Sequence, residues 1–358
     1  MLRKSFKTAL TPTLTFTLIV ATLSACTPTR FDPIASTTQV KTEIPIDVVV
    51  PTPVPQPKVL ESFTQDESAN KVDVLVINDN SYSMEVEQTK MAEKFPSFIS
   101  AFEGLDYQIT MTTTDIGSAD AKLNLSGRVV NWSGTPSKFL TSKTSSANSV
   151  FKNTIRREET IGCVKRGDCP SGDEQPLRAA MLAMDQRLTT NAGVFRDNTD
   201  LAIIVLSDED ELSDGGPMAT KPKEVIERFR AHFGNSKGLA VYGIVIQPGD
   251  EACRKNQLKQ TKGGNGAYFG THVTELAALT GGSTVSICEA DYSKSLADIS
   301  SSVRRLVGTF ELNQTPVAGS VEVVLTPAQK IPFKVVGKKV IFDTPPPAGT
   351  RVEISYNY

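Results

Sequence analysis

The chain has 358 residues, 39% of them hydrophobic and 22% charged, which is the composition of a folded protein and a length that accommodates two domains. Lys and Arg number 38 against 40 acidic residues, for a net charge of −2, so no broad basic face is implied and nucleic acid is excluded as an expected partner.

The first residues read as a targeting segment. Arg3, Lys4 and Lys7 give a positive start, residues 9–23 are mostly apolar or Thr, and Leu23-Ser24-Ala25-Cys26 follows. That tetrapeptide resembles the lipobox of bacterial lipoproteins. The resemblance implies a signal peptide over residues 1–25, acylation of Cys26 as the mature N-terminus, and attachment to a membrane through lipid. The apolar stretch is short for a membrane span. Thr27 stands where inner-membrane lipoproteins of many Gram-negative bacteria carry Asp, which points to the outer membrane, periplasmic or surface-exposed. An ordinary cleaved signal peptide with an incidental Cys is the alternative.

Residues 26–67 read as a linker. Pro28, Pro33, Pro45, Pro51, Pro53, Pro55 and Pro57 favour extended polyproline geometry, in which about 40 residues at about 3.1 Å each reach on the order of 100 Å. A first edge strand around Ile44 to Val50 is the competing expectation.

Over residues 68–309, apolar runs alternate with helical spacing. Strands are predicted at Val72 to Ile77, Tyr107 to Thr113, Leu201 to Leu206, Leu239 to Ile246 and Thr284 to Ile287. Helices are predicted at Glu85 to Phe102, Gln175 to Leu188, Lys221 to Phe233, Val273 to Leu279 and Tyr292 to Leu306. This alternation implies right-handed βαβ units, hence an α/β, doubly wound, mostly parallel sheet covered on both faces.

In such a sheet, ligands bind beyond the carboxyl ends of the strands, where the winding reverses. One strand ends in Asp79-Asn80-Ser81-Tyr82-Ser83, a second in Thr113-Thr114-Asp115, a third in Ser207-Asp208-Glu209-Asp210-Glu211. Asp79, Ser81 and Ser83 offer hard oxygens from one loop and Asp208 adds another, a donor set suited to a divalent cation such as Mg²⁺, with Ca²⁺ or Mn²⁺ as alternatives.

Asp79-x-Ser81-x-Ser83 at the end of an apolar strand resembles the metal-ion-dependent adhesion site of von Willebrand factor A domains, over roughly residues 70–308. In that family one loop supplies an Asp and two Ser, a second a Thr and a third an Asp, and the ligand takes the open coordination position. Asp79, Ser81, Ser83 and Asp208 match in order. The Thr does not carry over: the corresponding loop reads Ser171-Gly172-Asp173-Glu174-Gln175-Pro176, and Glu174, or else Asp173, is expected in its place. Tyr82 stands where many members have Gly and is expected to flank the metal, while Thr114, Asp115, Asp210 and Glu211 in adjacent loops are expected to shape what docks. The resemblance implies non-catalytic, metal-dependent binding of a protein or matrix ligand that offers a carboxylate.

With Cys26 assigned to lipid, Cys163, Cys169, Cys253 and Cys288 remain; of the possible pairings, locality favours Cys163–Cys169 and Cys253–Cys288. Four thiolates on zinc lack any CxxC pair. Residues 118–172, rich in Ser, Thr, Gly and Asn, read as an insertion over the ligand face, with a helix over Phe139 to Ile155 and Trp132 as a core residue or a binding anchor. Residues 310–358 read as a small all-β appendage. A metal-dependent envelope hydrolase is the competing function, although Ser81 occupies the position where such a phosphatase wants a second Asp, and His232 and His272 accompany no nucleophile motif. A structural envelope protein with an empty site is the third.

Overall fold

The computed structural model describes residues 57–358 apart from 66–70, 101, 103–104, 198, 235–236, 262–265, 307 and 348. The signal peptide, Cys26 and the strand considered at Ile44 to Val50 lie outside the described residues.

The described strands are β1 (Lys58–Thr64), β2 (Lys71–Asn78), β3 (Asp106–Thr113), β4 (Leu140–Thr141), β5 (Asp200–Leu206), β6 (Leu239–Val245), β7 (Ser283–Ser286), β8 (Thr309–Glu311), β9 (Glu322–Thr326), β10 (Phe333–Val336), β11 (Lys339–Phe342) and β12 (Arg351–Asn357). The helices are α1 (Glu85–Ser100), α2 (Ala147–Ile155), α3 (Cys163–Arg166), α4 (Pro176–Asp185), α5 (Leu212–Gly215), α6 (Pro222–Phe233), α7 (Glu251–Leu258), α8 (Thr271–Thr280) and α9 (Ser293–Leu306).

A six-stranded sheet runs in the order β4-β3-β2-β5-β6-β7. Its pairings are parallel except for the short β4, which lies antiparallel on β3. β2 is apolar almost throughout because both of its faces are covered. Val72, Val74 and Val76 pack with Phe95 and Phe98 of α1, Phe151 of α2 and Leu296 and Ile299 of α9. Leu75 and Ile77 point the other way, against Leu177 and Ala180 of α4, Phe229 of α6 and Val273 of α8. The chain winds from β2 to β3 in one direction and from β5 to β7 in the other. The reversal therefore falls between β2 and β5, and their carboxyl ends flank the crevice.

The segment 118–172 forms β4, α2 and α3, and the helix expected from Phe139 begins only at Ala147. α2 packs on α1. Trp132 is a core residue: it stacks on Phe151 at 5.8 Å, and its indole N–H donates to the carbonyls of Ile109 and Lys138. Both expected disulfides, Cys163–Cys169 and Cys253–Cys288, are formed.

The β appendage differs from expectation at one edge. It consists of two three-stranded sheets, β1-β12-β9 and β10-β11-β8, closed over Leu325, Val340, Phe342, Val352, Ile354 and Tyr356. β1 lies inside the stretch read as linker. Its alternation places Val59 and Phe63 against this core, and its antiparallel register from Lys58↔Asn357 to Thr64↔Arg351 covers an edge of β12. The appendage is thus built from both ends of the described chain.

Candidate metal centre

The loop after β2 is folded by its own polar groups. The Asp79 N–H donates to the carbonyl of Leu206 at 2.9 Å, continuing the β2–β5 ladder, and Asp79 Oδ1 accepts the N–H of Ser81 at 2.8 Å. A 3₁₀ turn over Tyr82–Met84 then leads into α1. From the outer side, Gln88 Nε2 donates to the Asp79 carbonyl at 2.8 Å and the Thr160 hydroxyl to the Asn80 carbonyl at 2.7 Å, so the segment after α2 braces this loop.

Inside the crevice the hydroxyls of Ser81 and Ser83 are 2.9 Å apart, and Ser83 donates to Asp208 Oδ1 at 3.0 Å. Ser207 donates to Asp79 Oδ2 at 2.6 Å, and the same hydroxyl accepts the N–H of Glu209 at 3.0 Å. Glu174 enters from the loop before α4, where it bridges Asp115 in antiparallel fashion; its carboxyl meets that of Glu209 and accepts the Ser213 hydroxyl at 3.2 Å. Asp79, Ser81, Ser83, Glu174, Asp208 and Glu209 are all less than 5% exposed.

Burial of so many acids sets the electrostatics. Asp79 is pushed up to about 7, chiefly by loss of solvent and further by Glu209, against the stabilising hydrogen bond from Ser207. Asp208 is raised well above its ordinary value by burial, then by Asp79 and Glu209; Glu174 is raised likewise by burial, then by Asp79 and Glu209. The described donors to Asp79, Glu174 and Asp208 are serine hydroxyls and a backbone N–H, with no Lys, Arg or His among them.

The acidic run after β5 divides by role. Asp208 and Glu209 turn into the crevice. Asp210, expected to contact a docking ligand, is 1% exposed and binds the backbone N–H and Nδ1 of His272 at the start of α8. Glu211 accepts the N–H groups of Leu177 and Arg178 at 2.7 and 3.2 Å, capping α4 behind Pro176; burial raises it to about 7. Asp115 also departs from its expected role: it is buried and accepts from Gly117, Ser118 and Ser171, tying two loops together. Both carboxylates organise backbone because loop N–H groups at the ends of a buried sheet need acceptors. Thr114 is buried beside Glu174, its carbonyl accepting the Gln175 N–H at 3.2 Å. Tyr82 is partly exposed and lines a cleft of about 500 Å³ with Ser83, Glu85, Val86, Lys90 and Gln260.

Glu209 and Ser207 were missed by the sequence reading. Contiguity with Asp208 was the available signal, but it does not distinguish inward from outward side chains in a loop.

The donors fit a hard cation in kind. Among the described residues, eleven buried side-chain N or O atoms lack a protein hydrogen-bond partner, and seven of these belong to Asn78, Asn80, Thr113, Thr114, Asp208 and Glu209 at the ends of β2, β3 and β5. Asp208 Oδ2 and Glu209 Oε2 are among them. Among the described residues, no three His, Cys, Asp or Glu side chains stand ready-made as an ion-holding group. The donors come instead as carboxylates interleaved with serine hydroxyls, the oxygen chemistry that Mg²⁺ and Ca²⁺ take.

No protein-family model matches the chain, and no curated protein sequence does. Solved structures similar to it include proximal thread matrix protein 1 from the mussel byssus, with 10% identity, 72% of this chain and 52% of that chain covered, and a TM-score of 0.39. The pilus adhesin SpaC from Lactobacillus rhamnosus GG, in its open conformation, has 12% identity, coverage of 85% and 41%, and a TM-score of 0.33. Manganese-loaded Plasmodium vivax TRAP protein has 12% identity, coverage of 75% and 89%, and a TM-score of 0.32. The chain spans about half the length of the mussel protein and about two-fifths of the pilus adhesin. Likenesses this distant say nothing of what the chain binds.

Proposed function

We propose that this protein is a cell-envelope lipoprotein whose von Willebrand factor A-like domain binds a protein or matrix partner through a divalent cation. The observation that carries the reading is the pair of unpartnered buried carboxylate oxygens, Asp208 Oδ2 and Glu209 Oε2, after β5, with Ser83 of the loop after β2 donating to Asp208; each such oxygen costs about 1–3 kcal/mol if nothing satisfies it. A bound cation supplies positive charge to carboxylates that otherwise repel one another, and an open coordination position for a partner's carboxylate.

Ser81 and Ser83 would hold the ion by their hydroxyls, and Asp79, Asp208 and Glu174 by carboxylate oxygens. Ser207 orients Asp79, and Gln88 and Thr160 fix the backbone of the same loop. Tyr82 and the cleft beside Ser83 lie where a partner would meet the ion. The role proposed is recognition without catalysis; the ion pairs of His232 and His272 run to Asp185 and Asp210 and not to Asp79. The lipobox-like Leu23-Ser24-Ala25-Cys26 supports a lipid anchor, and Thr27 supports the outer membrane.

Calorimetric titration of the protein with Mg²⁺, Mn²⁺ and Ca²⁺ tests the reading. Saturable binding that disappears in Asp79→Ala and in Asp208→Ala supports it, and the absence of binding by the native protein removes it.

A further inference from the structure

Glu209 is 4% exposed, and its carboxylate lies near enough to Asp79, Glu174 and Asp208 to act on the charge of each. Its backbone N–H rests on the Ser207 hydroxyl that also binds Asp79, so one serine ties both acids to the same point. On one side its carboxyl meets that of Glu174. On the other it occupies space left by Gly266, where an added Cβ would come within 2.7 Å of Oε1. Its Oε2 has no hydrogen-bond partner, and neither does Oδ2 of the adjacent Asp208. Two buried carboxylate oxygens without a donor, on consecutive residues beside the acids Asp79 and Glu174, point to a positively charged ligand shared by the four.

We infer that Glu209 is a fourth carboxylate ligand of the cation, alongside Asp79, Glu174 and Asp208, and that this donor set makes the site selective for Ca²⁺ over Mg²⁺. The inference rests on the proposal that the crevice holds a cation and goes further by naming which one. Ca²⁺ takes about six to eight oxygens, with carboxylates binding through one or both atoms, whereas Mg²⁺ demands near-ideal octahedral geometry, keeps several waters and uses one or two carboxylates. Four carboxylates are more than the one or two that Mg²⁺ uses, and with the hydroxyls of Ser81 and Ser83, and a carboxylate or two bound through both atoms, they reach the six to eight oxygens of Ca²⁺. Cation binding exchanges the contact between Glu174 and Glu209 for contacts of both with the ion.

The test is calorimetric titration with Ca²⁺ and with Mg²⁺ of the native protein, Glu209→Gln and Glu209→Asp, with thermal unfolding of each in chelator. The native protein is expected to bind Ca²⁺ at least tenfold more tightly than Mg²⁺. Glu209→Gln should weaken Ca²⁺ binding about tenfold or more, with a smaller effect on Mg²⁺, while unfolding in chelator no earlier than the native protein because a buried like charge is gone. Glu209→Asp keeps the charge one methylene short and should lose much of the same preference, so the inference stays testable if the Gln variant folds poorly. Native preference for Mg²⁺, or Ca²⁺ affinity unchanged in both variants, overturns the inference and leaves the cation reading standing. No cation binding by the native protein overturns both.

Discussion

The Ser83 hydroxyl donates to Asp208 Oδ1 at 3.0 Å across 125 residues of sequence, joining the loop after β2 to the loop after β5. The contact spans the crevice where the sheet reverses its winding. Replacing Ser83 with Ala leaves a buried carboxylate oxygen without a donor, so metal-free stability should fall by about 1–3 kcal/mol. Cation affinity should fall by at least the roughly 10- to 100-fold typical of losing an outer-shell partner. Urea melts in chelator and calorimetric titration measure the two effects, and an unchanged affinity would remove Ser83 from the ion's shell.

The metal-free protein should lose stability as the pH rises. Asp79 and Glu211 titrate near 7 in the folded state, against ordinary values of 3.8 and 4.5, so the folded protein holds protons that the unfolded chain has released. Their contribution is fully present below about pH 4 and is lost as the pH rises through about 7. Thermal unfolding in chelator from pH 5 to 8.5 should show a falling midpoint. Because the cation takes the place of the Asp79 proton, the midpoint gain from saturating Ca²⁺ should grow over the same range. A chelated protein that becomes more stable towards pH 8 would contradict the electrostatics described.

Asp210 should matter for folding and not for the cation. Its carboxylate holds both the N–H and the Nδ1 of His272, and Asp210→Ala leaves that part-buried helix start without an acceptor, at a cost of about 1 kcal/mol or more. The expected outcome is a lower urea midpoint with native cation affinity. Loss of cation binding at native stability would return Asp210 to the site.

β1 should act as part of the folded body. Phe63 packs in the appendage core, with its ring 5.3 Å from that of Phe310, and Phe63→Ala should cost about 1–3 kcal/mol, below the range for a fully enclosed Phe. A chain begun after Thr64 should lose the covering of β12 and expose Val352, Ile354 and Tyr356, seen as dye binding and aggregation. Cation affinity in Phe63→Ala should remain native.

What was legible in the sequence was local. The run Val72-Asp73-Val74-Leu75-Val76-Ile77 announces a strand buried on both faces, and Asp79, Ser81 and Ser83 lie close enough for their spacing to be read directly. Asp208 could be placed because it ends another such run. Glu209, Asp210 and Glu211 could not be sorted, because a loop has no fixed periodicity and their directions depend on Glu174, His272 and the start of α4, all distant in sequence. β1 was hidden for a related reason: Lys58–Thr64 follows a proline-rich run, and its strand partner is the last strand of the chain. Pairing over that separation leaves no local trace beyond a short alternation.

The most direct test of the central claim is the anomalous difference density of crystals grown with Mn²⁺, which reports the ion itself. A peak is expected in the crevice between the ends of β2 and β5, at about 2.0–2.6 Å from the Ser83 hydroxyl and an Asp208 or Asp79 oxygen. Mn²⁺ bound elsewhere, with the hydrogen bonds from Ser81 to Ser83 and from Ser83 to Asp208 unbroken, would contradict it.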